Sequence, residues 1–353
     1  MIKRNILFFL YSFVIIYCLF YGARAWPTWF LTSPYLYLSF FIIVVIFFST
    51  NKIRIRLTFI EIIAFLLYFV TFMSISDMSF NGLLGNFLIA SIVSSVFLLS
   101  KKYAEGLLRN IQSVMFYILI PSLVLHFIFL FYNYPSPFII QNEWSERYVF
   151  FNYFFLIKNE ILYQNRFCGI FLEPGYLAAL CSFLLFVDKY DLKKKENKIL
   201  VLAVMVSLSL AGYIFLAVGY MLLRANKIVD LLKKIFGLLF YVLLFYTIFT
   251  NYDDGDNIVN KSIIERLQLD KEKGIKGNNR VTGVVDDYYD FFLKSDELWS
   301  GYGKKEMQRI RQYESDWIAA GYKPFLMQNG IFILMMILLF YLIIAIDAKN
   351  RLY

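Results

Sequence analysis

Histidine occurs once in these 353 residues, at position 126, and cysteine three times, at 18, 168 and 181. The cysteines have no paired spacing, which argues against a disulfide framework or a Cys/His metal site. No Walker loop and no G-x-S-x-G elbow are present, so neither P-loop hydrolysis nor α/β-hydrolase chemistry is indicated. Charged residues make up only 17% of the chain, against about 25% in soluble domains. Hydrophobic residues fill the gap at 60%, with a mean hydropathy of +0.61. Apolar runs recur that are long enough to cross a hydrocarbon core about 30 Å thick. The chain therefore reads as a polytopic membrane protein, all-α. Its net charge of +9 has to be placed residue by residue before it is taken as a nucleic-acid footprint, and no nucleic-acid partner is expected.

Spans are expected at about 5–25, 29–50, 57–76, 79–99, 110–132, 169–187, 235–250 and 325–346. Ala23-Arg24-Ala25 after the first span mimics a signal-peptidase site, but the apolar stretch is long and the chain stays hydrophobic, so it reads as an uncleaved anchor. Basic residues gather in the short connections: Lys3 and Arg4; Lys52, Arg54 and Arg56; Lys101, Lys102 and Arg109; Lys189, Lys193, Lys194, Lys195 and Lys198; Arg224, Lys227, Lys233 and Lys234; Lys349 and Arg351. The positive-inside rule makes these segments cytoplasmic.

That assignment leaves the apolar run 199–223 with a basic flank at each end. A single crossing would put one flank outside. The alternative is a membrane-deep hairpin of two short helices that turns near Ser207, Ser209 and Gly212. Each arm of about 12 residues rises about 18 Å, and such backbone at membrane depth needs protein or water around it. With the hairpin, both termini are cytoplasmic and two loops, 133–168 and 251–324, are extracytoplasmic, all in one transmembrane domain spanning 1–353. Within the longer loop, "DDYYDFFLKSDELW" has apolar residues at near-helical spacing, which predicts a short amphipathic helix.

The stretch "RFCGIFLEPGYLAAL" begins at Arg166. Proline is favoured at the first helical position, so Pro174 predicts a helix start with Glu173 near the cap. From Pro174 to Val187 that helix is about 21 Å long, too short to cross alone. "GIFL" should then dip inward as a non-helical strip, with Gly169 and Gly175 permitting close backbone approach. A helix N-terminus attracts anions through its unpaired N–H groups and dipole, and Arg166 upstream has the planar fork that holds phosphate. The pattern fits a lipid-linked phosphate or pyrophosphate; it equally fits an interfacial Arg anchor with a capping Glu. His126 reads as a packing imidazole, Glu61 as an interfacial carboxylate, "SGYG" at 300–303 as a tight turn, and Arg266 and Arg280 as loop cations.

At these residues the chain resembles a family. "NRFCGIFLEPGYLA" resembles the R-x-x-G-x-F-x-E-P-G signature of O-antigen polymerases of the Wzy type. "SLSLAGYIFLAVGY", "NNRVTGVVDDYYDFFLKSDELWSGYGKKE" and "SDWIAAGYKPFLMQNGIFILMMILLF" are similar to later family segments and follow in the same order. The resemblance covers about 160–345, roughly half the chain. It implies a polytopic glycosyltransferase of the cytoplasmic membrane that joins undecaprenyl-pyrophosphate-linked oligosaccharide units outside the cytoplasm, without metal or other cofactor. By position it makes Arg166 and Arg280 the clamp for the leaving pyrophosphate, with Arg266 a weaker member. Glu173 becomes the base or acceptor-orienting group, and Gly169, Pro174, Gly175 and Tyr176 line the cavity. A chain-length regulator and membrane lipid are the partners it implies.

Two departures bear on this. Related O-antigen ligases carry a histidine in the long loop, and none occurs from 251 to 353, which favours polymerase over ligase. Phe332 stands where the family often has a second glycine. A transporter of lipid-linked oligosaccharides is the remaining alternative, but the two halves of the chain differ, where transporters usually show paired repeats.

Overall fold

The computed structural model describes residues 2–31, 33–51, 59–74, 80–132, 135–136, 138–142, 145–159, 166–224, 228–257, 259–265, 269–270, 274–275, 283–313 and 322–351. The structure is about 79% helical, with little strand. Five described helices are long and apolar enough to cross a membrane: Asn5–Gly22, Pro34–Asn51, Lys101–Ile128, Ile235–Gly255 and Tyr322–Ile343. Shorter apolar helices include Pro174–Val187 and Leu210–Met221. The chain is a helical protein with the makings of several membrane crossings, and it divides into two compact units.

One unit comprises Met1–Tyr11, Ser33–Ser100 and Leu269–Tyr353. Its membrane-type helices are the first turns of α1 (Ile2–Gly22), α2 (Pro34–Asn51), α3 (Phe59–Ser74) and α4 (Phe80–Ser94). Tyr11 stacks on Phe47 with ring centroids 4.4 Å apart, and its hydroxyl meets Ser95 Oγ at 3.0 Å. That bond removes the penalty of burying a phenol in an apolar interface. The unit ends in three further helices, numbered α10–α12: Gly283–Phe292, Gly303–Tyr313 and Tyr322–Arg351. The expected amphipathic helix is α10, which turns Val285 and Phe292 inward onto Met307, Leu326 and Met327. The end of "DDYYDFFLKSDELW" leaves the helix as a short 3-10 turn, Asp296–Leu298.

Helix α12 is broken at Gly330, whose φ of 76° and ψ of 169° suit glycine alone. The "SGYG" turn fills the break. Tyr302 N donates to Met327 O at 2.7 Å, and Phe332 N donates to Trp299 O at 3.2 Å. Asn329 Nδ2 takes up Phe325 O at 2.9 Å, so groups freed by the break find partners, as a buried backbone requires. The residue the resemblance left in question, Phe332, is exposed; Gly330 is the position the packing needs.

The second unit comprises Ser12–Thr32 and Lys101–Gln268. It holds α5 (Lys101–Ile128), α6 (Pro174–Val187), α7 (Lys195–Val206), α8 (Leu210–Arg224) and α9 (Ile228–Asn251). Helix α5 begins nine residues before the expected span, and the helix of the second expected span, 29–50, starts only at Pro34, after a 3-10 turn at Trp26–Thr28. Around the centre of this unit Met115, Leu119, Leu177, Ala178 and Cys181 form one buried core.

The run 199–223 is divided between two helices, α7 and α8. They part at Ser207–Ser209, where Leu208 has φ +48°. Ser207 Oγ bonds back to Val204 O at 2.7 Å, and Ser209 Oγ accepts Gly212 N at 3.4 Å. Both arms pack on α6. The turn lies by the start of α6, since Phe167 N donates to Val206 O at 3.4 Å. The outer flanks lie by its end, where Tyr190 Oη reaches Leu216 O at 3.2 Å. The chain thus goes up α7 and comes back down α8. Close approach is made at Gly212 and Gly219: an added Cβ would stand 2.4 Å from Ala178 Cβ and 2.3 Å from Tyr190 Oη, respectively.

At the same end, buried Asn197 bonds Asp188 Oδ2 at 2.6 Å and Asp191 O at 2.9 Å, and receives Gln112 Nε2 at 3.3 Å. Lys194 Nζ pairs with Asp188 Oδ1 at 2.6 Å. Burial alone would raise the Asp188 carboxyl; hydrogen bonds from Lys194, Asn197 and Gln112 outweigh it and hold the group below its ordinary value.

Strands also occur, outside the all-α expectation. Loop 133–168 carries an antiparallel sheet in the order β1 (Phe138–Asn142), β2 (Ser145–Asn152), β3 (Ile157–Lys158), with Ile140 opposite Phe150 and Phe151 opposite Lys158. A second pair, β4 (Leu269–Asp270) and β5 (Gly274–Ile275), lies in the longer loop. Runs such as "FII" and "RYVFF" have the aromatic and β-branched character of strands.

Candidate functional site

The segment before α6 is a non-helical strip, as its glycine and the following proline predict. Phe167, Cys168, Ile170, Phe171 and Leu172 are all buried. Such a strip must find partners for its peptide groups, and three separate segments supply them. Ile157 N donates to Gly169 O at 2.8 Å from the sheet. Trp26 N donates to Ile170 O at 2.9 Å, and Leu172 N to Arg24 O at 3.1 Å, closing a bridge between Ala25 and Phe171. The third partner is the end of α7, through Phe167 N. Gly169 turns the strip with φ +59°. Gly175 meets nothing within 4 Å of an added Cβ, so the close approach expected there is absent and its place in the first turn of α6 is all that the packing explains.

Helix α6 starts at Pro174 with Glu173 as N-cap in extended geometry (φ −138°, ψ 148°). The backbone of Glu173 does the capping, its carbonyl accepting Tyr176 N at 3.2 Å. Its half-buried carboxylate makes no cap bond, and no ion pair or hydrogen bond to it exists among the described residues. A side-chain cap would have engaged its oxygens with the first turn of the helix, and none does so here.

Arg166 opens the strip and is half-buried, its Nε directed at Ser207 O at 3.4 Å. Its charge acts on both Cys168 and Tyr213, as Lys158 does on Cys168. Lys158 itself lies over the Phe129 ring, 5.1 Å from its centroid. Arg24 is the residue that sequence reasoning passed over. It reads as half of a cleavage-site mimic, but the bridge sets it opposite Leu172, and its guanidinium lies over the Tyr176 ring, 5.6 Å from the centroid. Its positive φ of 53° has company: Phe154 (65°) receives Trp26 Nε1 at 2.7 Å, and Leu208 (48°) follows the serine that Arg166 contacts. Left-handed backbone at non-glycine residues is strained, and three such residues surround this one strip.

The segments around the strip therefore carry Glu173, Tyr176, Arg24 and Arg166, with Lys158 on the adjoining sheet. Arg266 and Arg280 lie outside the described residues. Glu61 is in α3, with its side chain outside them too. His126 is buried edge-on to Phe167, ring centroids 5.2 Å apart, in the packing role expected of it. Among the described residues no three His, Cys, Asp or Glu gather as metal ligands. Chemically, a cation such as Arg166 can hold a polyanionic leaving group, and a half-buried carboxylate at a helix N-terminus can accept a proton. Comparison with protein-family models, with curated proteins and with solved structures found no match for the chain.

Proposed function

We propose that the chain is a membrane glycosyltransferase, a surface-polysaccharide polymerase of the cytoplasmic membrane acting on undecaprenyl-pyrophosphate-linked oligosaccharides at its extracytoplasmic face. The observation that carries this reading is the Glu173 carboxylate at the N-cap of α6, without a hydrogen bond or ion pair among the described residues, at the end of a strip that begins at Arg166 and pairs through its backbone with Arg24. The α7–α8 reversal supports the topology it needs. The basic flanks lie by the end of α6 and the turn lies by its start, which with the positive-inside rule supports a reading with Glu173 towards the outside, both termini cytoplasmic and loops 133–168 and 251–324 extracytoplasmic.

In the reaction, a hydroxyl of one lipid-linked unit attacks the anomeric carbon of the growing chain. The new C–O bond forms as the anomeric carbon–diphosphate bond breaks, and the diphosphate leaves on its lipid with the bonding electron pair. Arg166 neutralises charge that develops on the diphosphate, a role that the resemblance also gives to Arg280. Glu173 takes the hydroxyl proton. Gly169, Pro174, Gly175 and Tyr176 shape the space in which the two meet. A chain-length-regulating membrane protein is the partner this function calls for.

The test is the surface-glycan profile of strains carrying Arg166→Ala or Glu173→Gln at normal protein level. Each should show core plus a single repeat unit and no long chains, and Gln, which caps as well as Glu, should not rescue position 173. Wild-type chain lengths in both strains would end the proposal. Loss of every repeat unit from the core would point to ligation, and repeat units trapped inside the cell to transport.

A further inference from the structure

We propose that α11 docks on the phosphate headgroups of anionic lipids, a basic helix lying at the bilayer surface beside the start of α12. The proposal needs α12 to cross the membrane, for which Tyr322–Ile343 is long and apolar enough, and it stands apart from the chemistry assigned to Glu173. In α11 the four cations Lys304, Lys305, Arg309 and Arg311 face a single carboxylate, Glu306. Successive helical residues turn by about 100°, which puts Met307 and Ile310 on one side and spreads the cations around the rest. Burial follows that division: Met307 packs on Leu326 and Met327, while Lys305, Arg309 and Arg311 are exposed. The acids of the neighbouring segment lie on other elements. Asp286, Asp287 and Asp290 belong to α10, where Asp286 pairs with Lys323 at 2.6 Å, and Asp296 and Glu297 belong to the 3-10 turn. Within α11, Glu306 is 3.7 Å from Arg309. The Lys305 and Arg311 side chains make no hydrogen bond or ion pair among the described residues.

Depth along α12 selects the partner. Tyr302 N donates to Met327 O at 2.7 Å, and Met307 shares a core with Leu326 and Met327, so α11 starts level with a point just inside the apolar stretch that begins at Tyr322. The rise from Tyr322 to Met327 is about 7.5 Å, comparable with the headgroup layer that flanks a hydrocarbon core about 30 Å thick. Trp299, just before the turn that leads into α11, is 60% exposed, and Phe332, which bonds to it through the backbone, is 58% exposed. Exposed aromatic residues at that level suit a lipid interface. A lysine or arginine there is costly unless phosphate or water meets it, and anionic headgroups attract each such cation. A soluble acidic partner would have to displace headgroups to reach the same face.

Hydrogen exchange of the 303–313 amides in the purified full chain tests this, in nanodiscs of phosphatidylcholine alone and of phosphatidylcholine mixed equally with phosphatidylglycerol. Attraction to an anionic surface is worth about fivefold per cation, so exchange in this segment should be at least about fivefold slower in the anionic discs. High salt should shrink the difference. The triple variant Lys305→Gln, Arg309→Gln, Arg311→Gln changes only exposed residues, so it should keep the wild-type melting temperature and exchange alike in both discs. Gln308→Ala, equally exposed and uncharged, should keep the wild-type difference. Equal exchange of the wild type in the two discs, or a difference that survives in the triple variant, would overturn the proposal. So would protection that appears in phosphatidylcholine discs only when undecaprenyl diphosphate is added, since the face would then belong to the carrier and not to bulk lipid.

Discussion

Replacing Gly330 with alanine sets the break in α12 against the turn that fills it. A Cβ built there stands 2.2 Å from Trp299 O, 2.5 Å from Trp299 C and 2.6 Å from Ser300 C. All three are backbone atoms, so no side chain can swing aside. The position is also one that alanine avoids, at φ 76° and ψ 169°, which alone costs about 1–3 kcal/mol. Relief requires the 299–302 turn to back away, and with it go Tyr302 N to Met327 O and Phe332 N to Trp299 O, each worth about 1 kcal/mol. Together these give a destabilisation of roughly 3–5 kcal/mol. Unfolding of the purified protein in mixed detergent micelles measures it, and limited proteolysis should show the 283–313 segment cut first. Gly237→Ala in α9 is the control, since its Cβ meets nothing within 4 Å and helix propensity favours it by about 0.5–1 kcal/mol. If Gly330→Ala unfolds with the wild type, the turn does not lock the break and the account of α12 is wrong.

The same unfolding measurement applies to the α6–α8 contact. Gly212→Ala puts a Cβ 2.4 Å from Ala178 Cβ and should cost about 1–3 kcal/mol as overpacking; Ala178→Gly in the same chain should restore most of it, and a neutral Gly212→Ala would refute the packing. Asp188 supplies a pH test. Its pKa is lowered on folding, so its contribution is full above the ordinary carboxylate value and disappears as pH falls through the lowered folded value. Asp188→Asn should therefore be less stable than wild type at neutral pH by about 1–2 kcal/mol, with the two curves converging only in acid below pH about 4. A difference that stayed constant into acid would exclude ionisation as its source.

The elements that were legible beforehand are those fixed by neighbours in the sequence. Pro174 marks the start of α6 because its ring has a place only in the first turn. The break at Ser207–Ser209 falls where the basic flanks of 199–223 had suggested a turn. What was hidden depends on pairing across long separations. The bridge joins Ala25 to Phe171, and no local pattern reports that. Arg24 accordingly read as part of a processing mimic. The sheet at 138–158 was missed for the same reason, because strand pairing is decided by partners and not by propensity. Gly175 shows the opposite error: a glycine next to proline invites a close-approach argument that its open surroundings do not bear out.

The bridge between Ala25 and Phe171 also has a bearing on synthesis. During translation the end of α1 leaves the ribosome long before the strip that will pair with it, and the intervening helix α5 must be inserted first. The bridge is therefore a late product of assembly, closed when the strip before α6 arrives.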